Sequence, residues 1–185
     1  DFSDSLAAET FARKAATMDL DILVNNAGIN KISLFEDIDP EDFDLIQRIN
    51  VRAPFLLCRA VLPRMKKKKW GRIVNVSSIF SKIAKEKRGS YCASKFALDG
   101  MTAAISAEAA SFGVLANCVA PGFIDTDLTR AILGKAGMKA LAAQVPAGRL
   151  GTAKEIAAFV AWLAGPENTY LSGQNIAIDG GFSRI

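Results

Sequence analysis

Two hydrophobic rhythms alternate along this chain. From Leu6 to Met18 the apolar residues recur at helical spacing, and Asp21-Ile22-Leu23-Val24 then forms the short apolar run expected of a buried parallel strand. A second helix is announced by Asp39 as N-cap, Pro40 at the first helical position, and Glu41 and Asp42 in the first turn. Phe43, Ile46, Ile49 and Asn50 then fall near one stripe, with Pro54 further along the same helix. Arg72-Ile73-Val74-Asn75-Val76-Ser77-Ser78 reads as the next strand, β-branched and apolar, with a hydroxyl pair at its carboxyl end. After a loop rich in Lys and Arg, a long helix carries Tyr91 and Lys95 to about Phe112, where Gly113 fits its cap. Val114 to Val119 forms another strand ending at Ala120-Pro121-Gly122. From Phe123 to Arg149 the pattern loosens into short helical pieces broken by Gly134, Gly137, Pro146 and Gly148, either a lid over a ligand or a plain surface excursion. Thr152-Ala153-Lys154-Glu155 is a capping box opening the helix Ile156 to Ala164, and the last strand, Gln174 to Ile178, closes on Asp179-Gly180-Gly181. No repeat, linker or composition break interrupts the alternation. The expectation is an α/β fold, one doubly wound parallel sheet in a single domain spanning residues 1–185.

Three places on this framework carry chemistry. Tyr91 and Lys95 stand at i and i+4 of one helix and share a face. An ammonium beside a phenol favours the phenolate, and a hydroxyl such as that of Ser78 suits a developing alkoxide. Such a trio fits carbonyl reduction or its reverse, although Tyr-x-x-x-Lys also occurs by chance on surface helices. Asn25-Asn26-Ala27-Gly28 lies at the carboxyl end of its strand, where open α/β sheets bind ligands; a plain strand-to-loop turn reads the same way. Pro54 lacks the N–H that the carbonyl of Asn50 would accept. That carbonyl is free to hold an ordered water, or the proline simply kinks the helix.

Composition narrows the choices. Half of the residues are apolar and the net charge is a mild +4, part of it in the run Arg64-Met65-Lys66-Lys67-Lys68-Lys69 at a helix end. That run reads as a solvated terminus complementing the helix dipole, without the basic face and interleaved aromatics that a nucleic acid requires. The chain has no histidine, which excludes Ser-His-Asp or Cys-His machinery and His-ligated metal within it. No metal is expected. Cys58, Cys92 and Cys118 read as small thiols in a reducing compartment, so a cytoplasmic protein is expected. Neither a leader pattern nor a long uncharged apolar run appears, and no membrane association is expected.

Taken together, Asn25-Asn26-Ala27-Gly28, Asn50, Val76-Ser77-Ser78, Tyr91-Cys92-Ala93-Ser94-Lys95, Pro121-Gly122 with Thr126, and Asp179-Gly180-Gly181 resemble the classical short-chain dehydrogenase/reductase family, in its order and separations. The resemblance implies a Rossmann-type sheet and a nicotinamide cofactor, NADP or NAD with NADPH slightly preferred. It implies Tyr91 as general acid for reduction or base for oxidation, with Lys95 lowering its pKa and binding the nicotinamide ribose. Ser78 would hydrogen-bond the substrate oxygen, and Asn50 would hold a water relaying protons to Lys95. Asn26, Ala27 and Gly28 would wall the adenosine, with Asp1 at the adenine, while Pro121, Gly122, Ile124 and Thr126 would meet the nicotinamide end. The family's opening glycine-rich strand–turn–helix unit is absent from these residues. On the order of 60 residues, about two βα units, are expected ahead of Asp1, and the residue separating NAD from NADP would lie there.

Gln144-Val145-Pro146-Ala147-Gly148-Arg149-Leu150-Gly151 and Pro121-Gly122-Phe123-Ile124-Asp125-Thr126-Asp127 look most like 3-oxoacyl-acyl-carrier-protein reductases. This implies a small-molecule or acyl-carrier-bound carbonyl substrate, most often a 3-oxoacyl thioester. Lys69 and its neighbours would meet the acidic carrier, although Phe112 stands where such reductases often have a second basic residue. Lys82, Lys85, Lys87 and Arg88 near Tyr91 point instead to an anionic small molecule such as a phosphorylated or nucleotide sugar, or are merely a solvated loop, and a family member acting on a sugar or polyol is the alternative. The remaining alternative is a catalytically silent dinucleotide-binding protein. The family also implies a homotetramer, with interfaces on helices 43–62 and 96–112 and on the last strand.

Overall fold

A computed structural model describes residues 1–184. Its centre is a parallel sheet of four strands, β1 (Ile22–Asn25), β2 (Gly71–Val76), β3 (Val114–Pro121) and β6 (Asn175–Ile178), in that spatial order. The pairings Asn25↔Asn75, Val76↔Val119 and Pro121↔Ile178 bring the carboxyl ends of all four strands to one edge. β2 is buried along almost its whole length because consecutive residues serve opposite layers. Ile73 packs with Ala12, Leu57, Val61, Met65 and Ile105, while Val74 packs with Val119, Leu163 and Ala164. The first layer holds α1 (Ser5–Thr17), α3 (Ala53–Lys68) and α4 (Gly89–Ala109); the second holds α6 (Ala153–Ala164). Helices on both faces of a parallel sheet make the doubly wound architecture anticipated from the alternation.

Several elements differ from the sequence expectation. β1 is not fully buried: Ile22 is 44% and Val24 42% exposed. Among the described residues β1 pairs only with β2, and Leu23 packs against the first helical layer and Asn25 is buried, while Ile22 and Val24 face out. The helix entered at Pro40 is not continuous as far as Pro54. α2 (Pro40–Gln47) passes into a π turn at Arg48–Arg52 before α3, with the Ala53 N–H reaching back to the Arg48 carbonyl. A chain lacking one N–H accommodates the gap by widening a turn. Between residues 123 and 150 the chain is more ordered than its glycines suggest. α5 (Asp127–Ala142) runs through Gly137 and is kinked only at Gly134 (φ 60°, ψ −178°). The strands β4 (Ile124–Asp125) and β5 (Gly151–Thr152) pair in parallel and pin this excursion at both ends. The capping box at Thr152 and Glu155 forms as read, but its helix begins already at Ala153.

At the amino-terminal edge of the sheet, Arg72 is buried and donates to the carbonyls of Gly71 (2.8 Å), Gly113 (3.2 Å) and Asn168 (2.8 Å). Its guanidinium stacks 4.5 Å from the centroid of Trp70. No described helix is long and apolar enough to cross a membrane.

Candidate functional site

The carboxyl edge of the sheet collects most of the residues singled out by sequence. Ser78 follows β2 in extended conformation and caps the short 3₁₀ turn Ile79–Ser81, its Oγ accepting from the Phe80 N–H at 3.2 Å. With that oxygen accepting, the hydroxyl hydrogen is available to a substrate oxygen. The neighbouring Ser77 Oγ donates to the Lys95 carbonyl at 3.2 Å, tying the end of β2 to the first turns of α4. From α4, Lys95 Nζ donates to the Val76 carbonyl at 2.9 Å and lies 5.5 Å from the centroid of the Tyr91 ring. The spacing of four residues therefore places both side chains, together with Ser78, at one point.

Asn50 projects from the π turn into this cluster, fully buried. Its Oδ1 accepts from the Ile29 N–H at 2.9 Å, and its Nδ2 donates to the Ile29 carbonyl at 2.9 Å and to Ser94 Oγ at 3.0 Å. Ser94 Oγ in turn donates to the Tyr91 carbonyl at 2.8 Å. The amide thus clamps the loop after β1 against the turn of α4 that carries Tyr91. Sequence reading quoted Ser94 within its motif but gave it no role. A hydroxyl three residues after Tyr91, on the inward face of its helix, was the available signal.

Electrostatics also differ in one respect from expectation. Burial raises the Tyr91 pKa above its ordinary value, opposed by its interaction with the Ser78 side chain and by the charge of Arg88. Arg88, at the start of α4, is a cation that acts on the phenol. Burial lowers Lys95 itself from 10.5 to about 8. Burial likewise raises the thiols of Cys58, to about 12, and Cys118, to about 11, so neither is a ready nucleophile at neutral pH.

The candidate cofactor residues spread along the same edge. Asn26, Ala27 and Gly28 lie exposed in the loop after β1, and a Cβ on Gly28 would stand 3.4 Å from both Asn50 Oδ1 and Lys95 Nζ. Pro121 ends β3. A Cβ on Gly122 would come within 2.6 Å of the Asp179 side chain, so only glycine lets these two turns meet. Ile124 sits in β4, and Thr126 is the N-cap of α5, accepting from the Thr129 N–H at 3.2 Å. Asp1 is exposed, accepts from the Ser3 N–H at 2.8 Å, and is not brought into the Ser78–Tyr91–Lys95 cluster. The donor set fits a ribose. The buried Lys95 ammonium has three hydrogens and one acceptor among the described residues, and it faces the open backbone of Gly28.

Comparison with known proteins bears on this arrangement. A family model described as enoyl-(acyl carrier protein) reductase matches residues 2–183. The 3-oxoacyl-[acyl-carrier-protein] reductase of Vibrio cholerae serotype O1 is 44% identical over 166 residues, covering 90% of this chain and 68% of that protein. Among solved structures, a gluconate 5-dehydrogenase from Burkholderia cenocepacia in complex with NADP and tartrate superposes with a TM-score of 0.91 at 30% identity, covering 100% of this chain and 74% of that one. A putative NAD(P)-dependent gluconate 5-dehydrogenase from Beutenbergia cavernae with bound NADP gives 0.92 at 33% identity, covering 98% and 74%.

Proposed function

The chain belongs to the short-chain dehydrogenase/reductase family, and from that premise we propose that it reduces the carbonyl of a 3-oxoacyl thioester with NADPH. The observation that carries the reading is the convergence of Ser78, Tyr91 and Lys95 at the carboxyl edge of the sheet, with Asn50 locked behind them. A bound reduced nicotinamide supplies hydride to the carbonyl carbon. Ser78 and Tyr91 hold the carbonyl oxygen, and the Tyr91 hydroxyl gives it the proton. Burial keeps that phenol protonated at neutral pH, which suits the direction of reduction. Lys95 donates to the ribose hydroxyls and replenishes the proton through water held near Asn50. Asn26, Ala27 and Gly28 flank the adenosine half of the cofactor, and Pro121, Gly122, Ile124 and Thr126 its nicotinamide half.

The domain comprises residues 1–185. Lys66, whose ammonium stands 5.2 Å from the centroid of Phe112, offers an acidic carrier the charge that Phe112 lacks, next to Lys67 and Lys69. The half-exposed Phe55, Phe96 and Phe112 on α3, on α4 and after it favour a homotetramer through these helices, in the cytoplasm. A second reading, a sugar-acid or polyol dehydrogenase, is favoured by the likeness to the gluconate dehydrogenases. Nicotinamide absorbance with NADPH and NADH, against a 3-oxoacyl thioester and a panel of sugar acids, separates the two. Turnover of the thioester, lowered at least about a hundredfold in Tyr91→Phe with cofactor binding retained, is expected. Tight cofactor binding without turnover of any carbonyl overturns both readings in favour of a silent binding protein.

A further inference from the structure

Beside the reacting hydroxyls lies a wall of aromatic rings edged with cations. The rings of Phe80 and Tyr91 meet edge to face at 6.4 Å, Phe80 and Phe123 at 6.4 Å, and Phe123 and Phe182 at 4.8 Å. The Arg88 guanidinium is 6.0 Å from the centroid of Phe80 and the Lys85 ammonium 5.9 Å from that of Phe123. Among the described residues neither cation forms an ion pair, although Glu86 lies between them in the chain. The loop is held at this place. Lys87 takes a left-handed backbone (φ 62°), and its carbonyl accepts from the Ser33 N–H at 3.3 Å. Two cations of this loop thus lie over rings that adjoin the reacting site. Phe80 is two residues beyond Ser78 and its ring meets that of Tyr91, so the ring that Arg88 covers adjoins both reacting hydroxyls.

We infer that Arg88 and Lys85 are specificity residues for an anionic group carried close to the reacting carbonyl, so that the site also reduces small oxo compounds bearing a carboxylate or a phosphate. The apolar stem of the substrate lies on the partly exposed Phe123, which the buried Phe80 backs, and its anion meets Arg88, whose planar fork suits either group, with Lys85 as a second point charge. The inference rests on the carbonyl reduction proposed above and adds a substrate class to it. The chemistry is the same: a hydride, with its electron pair, passes from the reduced nicotinamide to the carbonyl carbon. The C=O π bond opens, the oxygen takes the Tyr91 proton, and a secondary alcohol and oxidised cofactor result. The charge of Arg88 acting on Tyr91 is consistent with this placement.

The test compares kcat/KM for matched pairs with NADPH: acetoacetate against methyl acetoacetate, and dihydroxyacetone phosphate against dihydroxyacetone. The native protein should favour the anion of at least one pair by about tenfold or more, the scale of one charge-assisted contact. The favoured pair identifies carboxylate or phosphate. Arg88→Gln and Lys85→Gln should each lower that ratio, the double variant should bring it near one, and Arg88→Lys should restore part of it. Added salt should lower it as well. A ratio near one in the native protein, or one unchanged in the variants, overturns the inference. If no carbonyl is reduced, the 3-oxoacyl thioester included, the proposed function has failed. Calorimetric titration of the native protein with 3-hydroxybutyrate and glycerol phosphate then decides the inference separately: binding lost in Arg88→Gln supports it, and no binding overturns it.

Discussion

Replacing Lys95 with Met should make the protein more stable at neutral pH while removing its turnover. The side chain is 3% exposed, and burial lowers its pKa from 10.5 to about 8. The folded state therefore binds this proton less tightly than the unfolded chain. Between about pH 8 and pH 10.5 the unfolded chain carries the extra proton, so this group makes stability rise with pH across that window; below it the whole penalty is present. The interval from about 8 to 10.5 corresponds to about 3 kcal/mol. Met occupies similar space without charge but leaves the Val76 carbonyl without the bond it accepts at 2.9 Å. Losing that partner costs about 1–2 kcal/mol, leaving a net gain of about 1–2 kcal/mol at pH 7. Above pH 10.5, where the lysine is neutral in both states, the gain should turn into a loss of similar size. Urea unfolding followed by far-ultraviolet circular dichroism, run on both proteins at pH 7 and near pH 10.5, measures the difference directly. A Lys95→Met protein less stable than the native one at pH 7, by an amount that does not change with pH, would refute the reasoning. The ammonium would then be stabilising, and no desolvation cost would be held at the site.

Three other substitutions probe the supports of the site. Ser94→Ala removes the acceptor for Asn50 Nδ2 and the donor to the Tyr91 carbonyl. It should cost about 1–3 kcal/mol and lower kcat more than it raises KM; unchanged melting temperature and kcat would show the network to be idle. Pro54→Ala returns an N–H beside the π turn, and should tighten that turn, displace Asn50 and lower turnover while cofactor binding is kept. Equal turnover in a steady-state assay would count against Asn50 depending on the widened turn. Gly113→Ala places a Cβ 2.2 Å from the Lys69 carbonyl oxygen at a backbone φ of 75°. A loss of about 2–4 kcal/mol in urea unfolding is expected, and a loss below about 1 kcal/mol would mean the strand entrance adapts freely.

The parts of the site that sequence made legible are those fixed by local geometry. Tyr91 and Lys95 share a face because the helix dictates it, and Ser78 reaches them because a parallel strand must end where the following helix begins. The missing N–H of Pro54 could be read directly, but whether the helix kinked or widened depended on how Asn50 packed against Ile29, twenty-one residues away. The β4–β5 pair was hidden for a related reason. Two-residue strands carry no periodicity, and their pairing is set by where α5 lands. The exposed side of β1 could not be told from its composition, since Ile22, Leu23 and Val24 suit a covered strand equally well. Arg88 was visible as a charge in a basic loop. Its position over Phe80, and hence its influence on Tyr91, follows only from the folded loop.

At the opposite end of the sheet, the buried Arg72 has a kinetic meaning. One of its three carbonyl partners, Asn168, lies 96 residues along the chain, so this bond closes only after the segment following α6 has docked. A contact of such long range forms late, after the strands have paired, and is expected to be missing from the folding transition state. Interactions of that kind leave the folding rate nearly untouched and slow unfolding instead. Arg72 is thus expected to act as a latch that sets how long the native sheet persists once made, at the edge opposite the one where substrate must come and go.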